Sequence, residues 1–98
     1  MLETGRVGST GTPISGQGAA GSYSVARARG QSAGVWRITF PTHPIGTGNY
    51  TVSVTGLGNF AFVRYILNPP TSTYFEVVCY NTFMVLTDTP FAFMVLNW

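Results

Sequence analysis

From residue 22 to Trp98, apolar side chains recur at every second position, and each run is cut by glycine or proline. A repeat of two belongs to a β-strand with one buried face; an amphipathic helix repeats every 3.6 residues. The runs are SYSVARAR (22–29), VWRITF (35–40), NYTVSVT (49–55), FAFVRYIL (60–67), TYFEVVCY (73–80) and FAFMVLNW (91–98), with a short one at Phe83–Leu86. The breaks are GQSAG (30–34), PTHPIGTG (41–48), GLGN (56–59), NPPTS (68–72) and LTDTP (86–90). Six or seven short strands at this spacing, rich in β-branched and aromatic residues, predict an all-β fold. The expected architecture is a small antiparallel β-sandwich or jelly roll.

The alternation also assigns faces. Trp36, Ile38 and Phe40 share one side of their strand, Tyr50, Val52 and Val54 share one of theirs, and Phe75, Val77 and Cys79 another. In the last run, Phe91, Phe93 and Val95 oppose Ala92, Met94 and Leu96. Several strands are therefore apolar on both faces, whereas a two-layer sandwich needs only one. The second face calls for a neighbouring chain. Met94, Leu96 and Trp98 are the candidate oligomer-interface residues, with Trp98 placed near a subunit axis or against the entry of the N-terminal segment.

Residues 1–21 have a different composition. Glycine, serine and threonine dominate without apolar periodicity, which reads as a flexible linker or stalk remnant, leaving 22–98 as the folded domain. Gly5, Gly8 and Gly11 fall three apart, a pattern shared with a collagen-like repeat that breaks at Ile14.

Charge narrows the function classes. Charged residues make up 8% of the chain, against about 25% on average. There is no lysine, and the net charge of +2 reflects a scarcity of acids. Nucleic-acid binding gets little support from so few cations. Sheet edges are commonly guarded by lysine; here short edges, neighbouring subunits or the glycine-rich segment must take that role. No run of 18 apolar residues predicts a membrane-spanning helix, and no basic start followed by an apolar stretch predicts a signal peptide. Cys79 is the sole cysteine, so no intrachain disulfide forms, and with His43 it falls short of a zinc site. No metal or cofactor is expected.

Catalysis is equally poorly provided for. The acids are Glu3, Glu76 and Asp88. Glu3 lies in the linker-like segment, Asp88 in a turn, and Glu76 on a strand face where an arginine is its expected partner. Cys79 reads as a small buried hydrophobe. No catalytic residues are assigned, and the chain is expected not to be an enzyme.

Two segments, GVWRITFPTHPIGTGNYTVSVTGLG (34–58) and STYFEVVCYNTFMVLTDTPFAFMVLNW (72–98), carry a resemblance. The strand ending in an aromatic, the Pro-rich loop before N-Y-T-V, and the x-D-x-x-F-x-F-x-V ending resemble the C-terminal head domains of phage and algal-virus fibre proteins, which often follow collagen-like stalks. The likeness spans roughly Ser22 to Trp98, and it is a rhythm without a signature motif. It implies a homotrimeric tip on the virion that attaches to a host-surface receptor, commonly a glycan, without inserting into a membrane. The alternative is a capsid-decoration or assembly domain with no receptor. No receptor residues carry over, because such heads vary most where they bind. Loops on a rigid sheet are where recognition usually sits. Thr42, His43, Ile45 and Thr47 of the first Pro-rich loop, with Asn68 and Thr71 of the second, are the candidate receptor contacts.

Overall fold

The computed structural model describes residues 3–18, 23–28, 30, 33–40, 50–64 and 73–97. The strands are β1 (Glu3–Val7), β2 (Pro13–Gly18), β3 (Ser24–Arg27), β4 (Val35–Thr39), β5 (Tyr50–Gly56), β6 (Phe60–Arg64), β7 (Tyr74–Tyr80) and β8 (Phe91–Asn97). They form two four-stranded antiparallel sheets packed as a sandwich, ordered β2-β1-β8-β5 and β3-β4-β7-β6.

The alternation read from the sequence places the core. Phe91, Phe93 and Val95 of β8, Val7 of β1 and Val52 of β5 point in from the first sheet. Trp36, Ile38, Phe40, Phe75, Val77 and Cys79 meet them from the second. Phe93 is the hub: its ring centroid lies 5.0 Å from that of Tyr23, 5.6 Å from Phe75 and 6.1 Å from Phe40, all edge-on. Such pairs contribute about 0.5–1.5 kcal/mol each beyond the area they bury.

Two expectations are corrected. Residues 3–7 and 13–18 are not linker: they form a hairpin, β1–β2, which pairs along β8 from Glu3↔Val95 to Val7↔Phe91. Glycine is required there by close approach. A Cβ on Gly5 would sit 2.5 Å from Cζ of Phe93, and one on Gly11 would sit 2.5 Å from Cζ3 of Trp36. Gly11 also has φ +79°, and its N–H donates to Gly8 O in the turn joining the strands. Gly5, Gly8 and Gly11 thus do separate jobs in a hairpin, and their spacing is no collagen repeat. The second correction is at Phe83–Leu86, expected as a short strand. Only Leu86 pairs, in a single bridge to Tyr80, and the residues before it form a turn.

The register gives the sandwich two distinct poles. At one, the entry pole, lie Glu3, Val95 and Tyr50 of the first sheet and Thr39, Tyr74 and Arg64 of the second. At the other, the turn pole, lie the β1–β2 turn, Ala28 and Gly34 on either side of the β3–β4 connection, the β5–β6 turn and residues 81–90, the last two tied by Leu57 N–H to Pro90 O at 2.9 Å.

The Gly5–Phe93 contact is testable by a double-mutant cycle. Gly5→Ala overpacks the core and should cost roughly 1–3 kcal/mol. With Phe93→Leu already in place, the added cost of Gly5→Ala should shrink, because the clashing ring atoms are gone. Strict additivity in chemical denaturation would show that β1 does not pack on Phe93.

Candidate functional site

Cross-strand partners share a face, so the register defines the outer surface of the second sheet. One row across it is Leu86–Tyr80–Phe60, and the next is Val35–Val78–Phe62. Val35 and Val78 are buried with Ala28, and Tyr80 packs against them. Phe60 and Phe62 remain 48% and 51% exposed, although the Phe62 ring lies 6.1 Å from that of Tyr80. Beyond these rows the face turns polar, where Arg37 of β4 pairs with Glu76 of β7.

The apolar rows run on into the turn after β7. Asn81 builds this turn: its N–H donates to Val85 O at 3.0 Å, and its carbonyl accepts from Met84 N–H at 3.0 Å. Its side-chain Oδ1 accepts from Phe83 N–H at 2.8 Å and from Val85 N–H at 3.1 Å. Asparagine suits this role because its amide oxygen can satisfy backbone donors two residues on. The turn forces Met84 to φ 60°, a left-handed conformation costing an L residue about 1–2 kcal/mol. Its product is an ordered loop that presents Phe83, Met84, Val85 and Leu86 to solvent, Phe83 at 83% exposure. Their run of four apolar letters was visible in the sequence, but a period-two reading turned it into a strand.

The first sheet presents a different outer face. Thr4, Met94 and Ser53 form one row, and Arg6, Ala92 and Thr55 the next. The small Ala92 leaves a shallow depression of about 420 Å³ rimmed by Thr4, Arg6, Ser53, Thr55 and Met94. Met94 and Leu96, the expected interface residues, stand on this face at 37% and 40% exposure.

The ionisable groups are placed for structure. Asp88 accepts two hydrogen bonds from the Arg27 guanidinium, at 2.7 and 2.5 Å, and one from Gly34 N–H at 2.7 Å. Arg27 also lies over the Trp36 ring, its Cζ 4.2 Å from the centroid. With Gly11 also on that ring, Trp36 joins the β1–β2 turn to β3 and, through Arg27, to residue 88. Trp36 Nε1 is buried without a hydrogen-bond partner among the described residues. Arg37 donates to Oε2 of the buried Glu76 at 3.1 and 3.3 Å and stacks on Tyr74. The arginine expected beside Glu76 is thus Arg37, while the partner of Asp88 lies 61 residues away in sequence. Burial pushes the Cys79 thiol up to about 11, so it stays protonated at neutral pH. Among the described residues, no group of three or more His, Cys, Asp or Glu side chains is arranged to hold a metal ion.

The receptor-contact candidates Thr42, His43, Ile45, Thr47, Asn68 and Thr71, and the interface candidate Trp98, lie outside the described residues. The described residues nearest them in sequence do have positions. Phe40 N–H donates to Thr73 O at 2.8 Å, and Arg64 pairs with Glu76 in register, so these described residues lie at the entry pole. Comparisons of the chain with protein-family models, with curated proteins and with solved structures each returned no match.

Two measurements check this placement. The hydrogen bonds from Arg27 hold the Asp88 carboxyl below its ordinary range against the opposing effect of burial, with the Gly34 N–H adding to them. A depressed native pKa contributes stability above the unfolded value, near pH 4, which is lost as pH falls through the native value. Asp88→Ala should therefore melt below wild type at pH 7, and the gap should close in acid; a gap independent of pH would contradict the ion pair. Separately, Cys79 should resist a thiol reagent in the native protein and react fully in denaturant. Rapid native labelling would place it at the surface.

Proposed function

We propose that this domain is the non-enzymatic, homotrimeric head of a viral fibre or spike, displayed on the virion and attaching it to a host-surface receptor, with a glycan as the receptor class. The observation that carries this reading is the polarity of the sandwich. β1 begins at one pole, and at the other the β1–β2 turn and the turn at residues 81–85 are closed by backbone hydrogen bonds, while Leu57 N–H of the β5–β6 turn donates to Pro90 O. A chain joined through its N-terminal end would hang the domain by the entry pole and point the turn pole outward. The receptor-facing surface in this arrangement is the turn pole.

Other features agree with an assembling, non-catalytic role. Glu76 and Asp88 are each engaged by an arginine, on strands and turns that order the fold. Apolar side chains stand exposed on the outer faces of both sheets. The rhythm of the strands resembles fibre heads in the same region of the chain.

Sedimentation equilibrium of the full chain at micromolar concentration should give three times the 10.5 kDa chain mass. The purified protein should bind a glycan array and block virion adsorption to host cells. A stable monomer with no adsorption block would sink the proposal. A trimer that binds no glycan and leaves adsorption unchanged would instead identify an assembly domain without a receptor.

A further inference from the structure

We infer that Phe60, Phe62 and the Phe83–Leu86 loop form a docking knob that seats on the outer face of the first sheet of a second copy of this chain, over Ala92 and beside Met94 and Leu96. The inference rests on the self-association proposed above and adds which surfaces meet, and that they are unlike.

Size is the first argument. At 48%, 51% and 83% exposure, the three phenylalanines alone leave roughly 300–450 Å² bare, taking 150–250 Å² per aromatic side chain. Met84, Val85 and Leu86 extend the same surface without a break, since Leu86 joins Tyr80 and Phe60 in one row. The total reaches the upper end of the roughly 300–600 Å² that the largest apolar patch of an ordinary monomer spans, and is a large part of the roughly 800 Å² each partner buries in a standard interface.

Chemistry is the second. Among the described residues, no charge stands in the Leu86–Tyr80–Phe60 row, the Val35–Val78–Phe62 row or the turn at 82–85. A charge-free aromatic centre is the composition of an interface core. The edge strand β6 that carries Phe60 and Phe62 has no lysine to block a neighbour. The loop is also held in shape before any contact, by Asn81 and at the strained Met84. That lowers the ordering cost of docking.

Shape selects the occupant. The knob is convex and lies on the second sheet; the depression over Ala92 is concave and lies on the first. It is apolar at Ala92 and Met94, its rim supplies Thr4, Arg6, Ser53 and Thr55, and the exposed Leu96 lies one row further along the same face of β8. An apolar centre with a polar rim containing arginine matches what the knob lacks. The two surfaces sit on opposite faces of one domain, so they cannot meet within a chain. Joined between copies they make a head-to-tail contact, which closes into a ring when its rotation permits.

Complementation tests this directly. Variant one is Phe60→Ser with Phe83→Ser, on the knob; variant two is Ala92→Arg with Leu96→Ser, on the seat. All four positions are at least partly exposed, so both variants should keep wild-type circular dichroism; Met94→Ser replaces Ala92→Arg if that pair misfolds. Each alone should sediment as monomer, with association weakened on the order of 10–100-fold. Mixed, they should form a one-to-one dimer, because each supplies the surface the other lost. A mixture that stays monomeric, or a knob variant that assembles like wild type, overturns the inference while leaving self-association standing. A wild-type monomer overturns both, and if that monomer pellets with phosphatidylcholine vesicles, the knob is a membrane contact instead.

Discussion

The packing of the Phe93 ring is the constraint on which the rest of this sandwich depends. Phe93 sits mid-way along β8, which β1 flanks on one side and β5 on the other. Its ring reaches across to Phe40 and Phe75 in the opposite sheet and meets Tyr23 near the start of β3. For that ring to pack beneath β1, the residue above it must have no side chain, and Gly5 supplies that. A domain this small buries only about 60–65% of its unfolded surface. It has no disulfide to make up the difference. The hairpin therefore belongs to the core: it contributes Val7 to the buried cluster and covers the edge of β8.

The same economy governs charge. Of eight charged residues, Arg27, Asp88, Arg37 and Glu76 are used in two intrachain pairs. One pair stitches β3 to the segment before β8, and the other spans β4 and β7 across the outer face. A surface pair such as Arg27–Asp88 contributes little to stability, whereas Arg37 answers the charge of the buried Glu76; both pairs set geometry. Arg27 holds Trp36 flat against Gly11, and Glu76 confines the polar part of its sheet to one end. On the second sheet the other end of the outer face is left apolar at Phe60 and Phe62.

The strands from residue 24 onward were legible because alternation and turn chemistry agree there. Val35–Thr39, Tyr50–Gly56, Tyr74–Tyr80 and Phe91–Asn97 fall within or beside the segments the period of two marks out. β1 and β2 were not legible, since their glycines carry no propensity signal and are dictated by rings more than 20 residues away. Strand propensity measures fit to a pleated, half-buried surface, which only the partner strand reveals. The glycine-rich segment, one of the covers considered for the sheet edges, instead supplies two strands of the first sheet, with β2 as its edge. On the outer faces, Met94 and Leu96 were readable from alternation. The knob was not, because whether Phe60 and Phe62 or Ala61 and Val63 face inward depends on register, and a shift of one residue would reverse it. Asp88 shows the same limit: a turn residue by its neighbours in sequence, it is an ion-pair partner by its neighbours in space.

That dependence on register explains why the exposed apolar surface is better understood as specified than as residual. Turning β6 by one residue would bring Phe60 and Phe62 into the sandwich and put Ala61 and Val63 outside. The inner side of β6 is already fitted by Ala61 and Val63, packed against the core beside Cys79 and Val77 of β7, and close-packed cores do not absorb two extra rings. The phenylalanines are excluded from the core by the residues that occupy it. The loop reinforces the point from another direction. A turn that only joined β7 to β8 could place glycine at residue 84 and avoid the left-handed strain. Instead Met84 accepts it, and Asn81 spends both its backbone groups and its side-chain oxygen holding four apolar residues outward. Strain kept in a solvent-facing apolar loop supports the docking role proposed for it.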